Sequence, residues 1–290
     1  MKTLLRAVFA LVLVLHISAA DKKIVLVAGK PSHGPGDHEF NAGSMLLAKC
    51  LNTVPGIKAV VEKGGWPADE SAFQGADAVL FYMDGGAGHP VAKPEHIKVV
   101  RELAAKGVGI GFAHFGVECV AGEPGQAWQE WIGGYYEDHF SCNPMWSPEY
   151  KSFPNHAIAR GVKPFTIRDE WYMNMRFRPD MQGVTSILVA KPSDAVRDGP
   201  YVWPAGPYEH IQKNKGRDET MMWAVENPNG QRGFGFTGGH VHTNWGNDNF
   251  RKVVLNALVW AAHGEVPADG IASTVTPDDL KENLDPKGKK

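Results

Sequence analysis

Short apolar runs that end in glycine or in polar residues recur through the first half of the chain. They cover residues 23–29, 57–62, 78–82 and 108–113. A continuous run of this length is typical of a strand that is buried on both faces of a parallel sheet. Between the last two runs, residues 94–106 have apolar side chains at helical spacing, with a proline at the start and Gly107 just past the end. The pattern therefore predicts a βαβ unit and an α/β sheet with helices on both faces.

The second half of the chain has a looser pattern. Further strands are predicted at residues 165–174, 184–190, 221–226 and 233–237. Two more helices are predicted, at 39–51 and at 248–263, the second with Asp248 as its cap and Gly264 at its end. No linker divides this region, so residues 21–264 are expected to form one domain. Residues 265–290 are polar and contain three prolines, which predicts a flexible tail.

The first twenty residues have the features of a secretory signal peptide. Lys2 and Arg6 precede an apolar run over residues 7–17, and Ser18-Ala19-Ala20 provides a small-residue cleavage site. An uncleaved N-terminal anchor is the alternative. No other stretch has the 18 or so apolar residues of a membrane span. We therefore expect a periplasmic or secreted protein that has no membrane contact once the signal is removed.

Charge and composition narrow the possible partners. The chain has 30 basic and 32 acidic side chains, so it lacks the basic excess that general nucleic-acid binding requires. No G-x-x-x-x-G-K-[ST] segment is present, and no nucleotide cofactor is expected. Histidine is abundant, with 12 residues. These features favour a small molecule as the partner and leave the oligomeric state open.

Polar side chains follow several of the predicted strands at the point where each strand ends. His33, Asp37 and His38 lie in the glycine-rich loop after the first strand, and Asp84 lies in a similar turn after the third. His114 stands at the sharp turn after the fourth. Ligands of open α/β sheets bind at the carboxyl ends of the strands, so we expect these residues to share one edge. A polar surface loop with incidental histidines is the alternative for residues 33–38.

The segment Arg168-Asp-Glu-Trp-Tyr172 places two adjacent carboxylates beside two aromatic residues. Because neighbouring strand residues face opposite sides, only one of Asp169 and Glu170 can point into a given site. A buried carboxylate needs a partner, which could be a group bound at the site or an arginine that forms a salt bridge. Tyr172 follows on the same segment.

The segment Gly238-Gly-His-Val-His-Thr-Asn-Trp-Gly246 comes directly before the last helix. If it is extended, His240 and His242 point to one face at the spacing of a two-histidine metal pair. Together with His33 they predict a divalent metal site, for zinc or a similar ion. The alternative is structural, with the histidines bonded to the backbone and Trp245 in the core.

These segments together resemble the trehalose-utilisation (ThuA-like) family, whose fold is similar to that of class I glutamine amidotransferases. The likeness rests on the strand at 24–29 with His33 after it, the Gly-x-Gly-x-x-His run ending at His114, Asn155-His-x-Ile-x-x-Gly161, Asp169-Glu-x-Tyr172 and Gly238-Gly-His240. It implies a flavodoxin-like α/β sandwich with a mostly parallel sheet and a role in carbohydrate catabolism, on sugars or oxidised (3-keto) glycosides.

The departure from the amidotransferases bears on the chemistry. Those enzymes have a cysteine at the sharp turn and a later His-x-Glu, whereas this chain has His114 and His240-Val-His242. Without a thiolate the covalent glutaminase route is lost. Cys119 could be a displaced nucleophile, and Cys50 is expected in the core. With three cysteines at most one disulfide can form.

We therefore predict an enzyme that acts on a sugar by metal-assisted or general acid–base chemistry. The expected catalytic residues are His114, Glu170 and His240. The expected substrate-binding residues are Asp84, Asp169, Tyr172 and Trp245. The alternative is a non-catalytic carbohydrate-binding or accessory protein that uses the same cleft.

Overall fold

The computed structural model describes residues 21–288, and a seven-stranded sheet forms their centre. The strands are β1 (Lys22–Ala28), β2 (Ile57–Glu62), β3 (Ala78–Tyr82), β4 (Gly109–Ala113), β5 (Val184–Ala190), β6 (Glu219–Glu226) and β7 (Arg232–Phe236). Their order across the sheet is β5-β6-β7-β4-β3-β1-β2. The five strands from β7 to β2 are parallel, and β6 is antiparallel to both of its neighbours. The mostly parallel sheet confirms the predicted flavodoxin-like α/β fold.

The chain reverses its direction across the sheet at β1. From β1 it crosses to β2 on one side and then returns to β3 and β4 on the other. Loops that leave β1 and β3 therefore diverge, and a crevice opens between the carboxyl ends of these strands.

Helices cover both faces of the sheet. They are α1 (Phe40–Leu51), α2 (Pro94–Ala105), α3 (Glu123–Ile132), α4 (Asp194–Asp198), α5 (Glu209–Gln212) and α6 (Asp248–Ala261). Helices α1 and α6 belong to one apolar core, while α2 and α3 belong to the core on the opposite face. Helix α6 is capped by Asn247, whose side chain accepts hydrogen bonds from two backbone N–H groups, rather than by Asp248 as predicted.

The predicted strands and long helices agree with the structure to within two residues, with one exception. The segment 165–174 is not a continuous strand, and it contains only the two-residue strands Phe165–Thr166 and Asp169–Glu170. Each pairs with a short strand of the long insertion between α3 and β5. The apolar residues of this segment pack into irregular structure around Trp171, which is fully buried.

The chain beyond Gly264 differs from the predicted flexible tail. Val266 and Ile271 are buried in the core that contains α6. Near the end of the described chain, the Lys287 ammonium donates hydrogen bonds to the carbonyl oxygens of Asp37 and His38. It also lies 3.3 Å from a carboxylate oxygen of the buried Glu39. The composition of this segment is polar, but these anchoring contacts hold it against the loop that follows β1.

The predicted signal peptide, residues 1–20, lies outside the described residues. Within residues 21–288 no helix is both long and apolar enough to cross a bilayer.

The contact between Lys287 and Glu39 gives a test of the C-terminal packing. Both side chains are almost completely buried, with exposed fractions of 4% and 1%. Removal of the cation in Lys287→Met leaves a buried carboxylate without its charge partner, and we expect a loss of about 3 kcal/mol in the free energy of unfolding. Urea denaturation measures this loss.

Two further variants serve as controls for this prediction. Lys287→Met combined with Glu39→Gln should recover part of the loss, because no unpaired charge then remains buried. Lys281→Met removes an exposed pair with Asp278 and should cost less than about 1 kcal/mol. Equal effects of Lys287→Met and Lys281→Met would show that the C-terminal segment is not packed as described.

Candidate functional site

Three histidines and one glutamate meet at the carboxyl ends of the parallel strands. His38 lies in the loop after β1, His114 directly follows β4, and His240 lies in the loop after β7. Glu170 comes from the short strand in the insertion. His38 and His114 have positive φ angles of 49° and 50°, which turn the chain sharply where each strand loop enters the site.

The four side chains direct one atom each toward a common point. His38 Nε2 lies 3.0 Å from His114 Nε2 and 2.9 Å from His240 Nδ1. His240 Nδ1 lies 2.7 Å from Glu170 Oε2, and His114 Nε2 lies 3.9 Å from the same oxygen. All four atoms lie within 4.8 Å of one another.

The outer nitrogens of two rings determine which inner nitrogens carry a proton. His114 Nδ1 lies 3.0 Å from the carbonyl oxygen of Thr237, which can only accept a hydrogen bond. His38 Nδ1 lies 3.1 Å from a carboxylate oxygen of Asp84. Both rings therefore hold their proton on Nδ1, and both Nε2 atoms direct a lone pair at the common point.

The local environment lowers the pKa of these two rings and raises the pKa of His240. Burial and the neighbouring histidines lower the pKa of His38 and of His114 well below the usual value. Burial also acts to lower the pKa of His240, but the hydrogen bond and charge of Glu170 outweigh it and raise that pKa. The proton on His240 Nδ1 thus fills part of the space between the four atoms.

Such an arrangement fits a metal ion. Zinc binds histidine nitrogen and carboxylate oxygen at about 2.0–2.2 Å, which places tetrahedral ligand atoms roughly 3.3 Å apart. Four of the six separations between these atoms, from 2.7 to 3.9 Å, bracket this value, and all six lie below 4.8 Å. In known metal sites, a carboxylate or carbonyl oxygen accepts a hydrogen bond from the outer nitrogen of a metal-binding imidazole and so fixes its orientation. The Asp84 carboxylate and the Thr237 carbonyl are in this position for His38 and His114.

Asn143 holds the glutamate in place, and Asp169 holds the loop that carries His240 in place. Asn143 donates a hydrogen bond from Nδ2 to Glu170 Oε1 at 2.7 Å, which leaves Oε2 for the cluster. Asp169, expected to bind substrate, is fully buried and accepts hydrogen bonds from the backbone N–H groups of Gly239 and His240. It therefore positions the loop that carries His240, and it has no free face toward a ligand.

Several other predicted residues surround the cluster. Asp84 is 38% exposed, and His33, at 42% exposed, stacks on the His38 ring with centroids 3.6 Å apart. His33 lies beside the cluster and does not supply one of the four atoms. The hydroxyl of the buried Tyr172 lies 3.5 Å from His114 Nε2.

Two predicted site residues lie elsewhere. A 3₁₀ helix over His242–Gly246 replaces the extended segment that would place His240 and His242 on one face. His242 is consequently buried outside the cluster. Trp245 is fully buried against Tyr82, Phe236 and Phe250, so its ring is a core residue, not a substrate-binding face.

The sequence analysis placed His38 in the loop after the first strand but did not identify it as the central residue of the cluster. It did not identify Asn143 at all. His38 and His33 stand in the same glycine-rich loop, and only the fold distinguishes them. Asn143 lies in the irregular insertion, where no periodic pattern indicates which side chains point inward. Cys119 is buried, and burial raises the pKa of its thiol, which argues against a nucleophile there. Cys50 is buried in the core as predicted.

A cavity of 560 Å³ is lined in part by Asp84, whose carboxylate contacts the outer nitrogen of His38. Its walls come from the segments after β1, β2 and β3 and from the start of α2, and they include Lys30, Trp66 and Lys93. The cavity gives a small molecule room to reach the crevice beside β1.

The fold and the cluster together define an α/β protein with three histidines and a glutamate clustered at the carboxyl edge of its sheet. The chain belongs to the ThuA family, described as trehalose utilisation, whose sequence profile it matches over residues 25–261. At the level of the family, its role is related to carbohydrate.

Two solved structures with this fold are ThuA-like proteins. The one from Bacteroides uniformis is 14% identical, with a TM-score of 0.57 over 86% of this chain and 96% of that one. The one from Parabacteroides merdae is 16% identical, with a TM-score of 0.54 over 89% and 94%. A glutamine amidotransferase from Thermotoga maritima matches at 9% identity and a TM-score of 0.47, over 85% of this chain and all (100%) of that one. No curated protein matches the chain.

Glu118, four residues after His114, gives a pH test of the site's surroundings. Burial, with the charges of Asp138 and Glu170, raises the pKa of Glu118 to about 8 from a value of 4.5. Between these values the unfolded chain loses the proton and the folded protein keeps it, so stability falls as the pH rises. We expect the stability of the wild type relative to Glu118→Gln to fall by about 2–4 kcal/mol from pH 5 to pH 8, at up to 1.4 kcal/mol per pH unit.

Urea denaturation across this pH range measures the difference. Glu130→Gln removes a half-exposed carboxylate on α3 and should leave the pH dependence of the wild type unchanged. The same slope in Glu118→Gln and in the wild type would contradict the assignment.

Proposed function

We propose that this protein is a metal-dependent enzyme of carbohydrate catabolism that acts on a sugar or an oxidised (3-keto) glycoside outside the cytoplasm. One observation carries the proposal, namely that four ligand atoms from four separate segments converge with two lone pairs already directed inward. Two facing lone pairs 3.0 Å apart repel each other unless a cation or a proton lies between them. The family's relation to trehalose utilisation supports the substrate class, and residues 1–20 support the location.

His38, His114, His240 and Glu170 would hold a divalent ion such as zinc. A bound ion of this kind polarises a carbonyl group or activates water. His240 would give up its Nδ1 proton when the ion binds. Its Nε2 faces the Asp37 carboxylate at 3.6 Å, which stabilises the ring with its proton on Nε2.

The exposed side of the cluster provides groups for proton transfer. His33 and Asp84 are partly exposed there, and burial lowers the pKa of His33, so its ring is neutral at pH 7. A neutral imidazole at this position can accept a proton from a sugar hydroxyl, and Asp84 orients it. Tyr172, whose hydroxyl lies near His114 Nε2, supplies a donor on the buried side.

Replacement of one ligand should remove both the metal and the turnover. Asparagine tolerates the positive φ angle of His114, so His114→Asn removes the ring with little backbone strain. The purified wild type should contain close to one equivalent of a divalent metal and turn over 3-keto-glycosides or plain disaccharides. His114→Asn should contain less than about a tenth of an equivalent and lose at least about a hundredfold in activity. Elemental analysis and a sugar assay measure the two effects.

The matched control is His263→Asn. His263 also has a positive φ angle, of 58°, but it is exposed after α6 and distant in sequence from every ligand. It should keep the metal and the activity of the wild type. If the wild type still contained no metal after zinc, manganese and iron had been supplied, the metal site would be refuted. A full metal complement with sugar binding but no turnover would indicate a carbohydrate-binding protein instead of an enzyme.

A further inference from the structure

We propose that the indole of Trp203 is a stacking platform that binds a pyranose ring of the substrate at the mouth of the cluster. The inference rests on the proposed function, since it adds a sugar subsite to the same centre. It assigns a role to a residue that lies far from the cluster in sequence and in none of the four ligand segments.

Trp203 is exceptional among the tryptophans of the described chain. Its exposed fraction is 75%, whereas Trp128, Trp131, Trp171, Trp223 and Trp245 are completely buried. Burial of an indole removes about 150–250 Å² of surface from water, so an exposed indole lacks the large stabilisation that burial would give. Tryptophan is enriched at binding interfaces, where a partner covers the indole.

The exposure of Trp203 does not come from a loosely held loop. Its backbone N–H donates a hydrogen bond to Asn143 Oδ1 at 3.1 Å, and Val202 N–H donates to the Asn143 carbonyl oxygen at 3.2 Å. Tyr201 N–H closes the turn on the carbonyl oxygen of Ala205 at 2.9 Å. The backbone on both sides of the ring is thus fixed in place before any ligand arrives.

The same asparagine connects this loop to the cluster. The Asn143 side chain accepts from Trp203 through Oδ1 and donates through Nδ2 to Glu170 Oε1 at 2.7 Å. A single amide group therefore separates the backbone of Trp203 from a proposed metal ligand. The backbone N–H of Trp203 is thus two hydrogen bonds away from Glu170, and on this ground we place the indole at the rim of the centre.

The chemistry of the surface favours a sugar over a protein partner. In the described chain, Val202 is the one other large apolar residue next to Trp203 that is strongly exposed, at 47%. A protein interface needs an apolar core of many residues. One indole ring is similar in size to one pyranose ring. The C–H face of the pyranose can pack on the indole while the sugar hydroxyls stay hydrated.

The test compares Trp203→Ala, Trp203→Phe and Val202→Ala in the intact, metal-loaded protein. The probes are trehalose and its 3-keto derivative, and the readouts are KM, kcat and the protection of tryptophan fluorescence from acrylamide. Because the other indoles are mostly buried, quenching reports chiefly on Trp203. We expect Trp203→Ala to raise KM about five- to tenfold with kcat changed less than about twofold. Trp203→Phe should restore KM to within about threefold, and Val202→Ala should match the wild type.

The outcomes separate this inference from the proposed function. Protection of Trp203 by either sugar in a wild type without turnover would support the subsite and refute the enzyme. Turnover with an unchanged KM in Trp203→Ala would refute the subsite and leave the enzyme. The inference is also overturned if neither sugar protects the fluorescence of the wild type, or if Trp203→Ala lowers kcat alone. Loss of metal in Trp203→Ala would indicate a structural role and would overturn the inference as well.

Discussion

Two imidazole nitrogens, His38 Nε2 and His114 Nε2, are held 3.0 Å apart with their lone pairs facing each other, and the site depends on this contact. Neither ring can relieve the repulsion by moving its proton, because Asp84 and Thr237 each require a donor on the outer nitrogen. Burial opposes protonation of either ring. The fold therefore stabilises an arrangement that is unfavourable by itself and becomes favourable when a cation, or the proton of His240, occupies the centre.

The architecture explains how the chain sustains this arrangement. The parallel strands β1, β4 and β7 end at one edge of the sheet, and their loops deliver His38, His114 and His240 to a common point. Asp169 fixes the third loop through its backbone N–H groups. The C-terminal Lys287 binds the carbonyls of the first loop from outside. Hydrogen bonds between side chains and the backbone thus hold the loops that carry His38 and His240 in place.

Most of the regular part of the fold and three of the four cluster residues could be predicted from the sequence, because apolar runs indicate strands and polar residues after strands indicate a sheet edge. His114 and His240 were identified as residues that follow strands, and Glu170 as one of two carboxylates in a strand-like segment. His242 and Trp245 were misplaced because a 3₁₀ helix, not a strand, follows Val241. The tail was misjudged because its few anchoring contacts do not show in composition. Asn143 lies in the insertion before β5 and Trp203 lies between α4 and α5, and both segments lack periodicity, so tertiary contacts alone determine the role of Asn143 and the exposure of Trp203.

The central claim is that His38 and His114 direct lone pairs, not protons, at a shared metal position. Long-range ¹H–¹⁵N correlation spectra of ¹⁵N-histidine-labelled protein report the protonation of each ring nitrogen directly. In the metal-free protein at pH 7, the account predicts that both rings are neutral with the proton on Nδ1. Addition of one equivalent of zinc should then shift the Nε2 resonances of both rings and the Nδ1 resonance of His240. A proton on Nε2 of either ring, or three resonances that do not respond to zinc, would contradict the account.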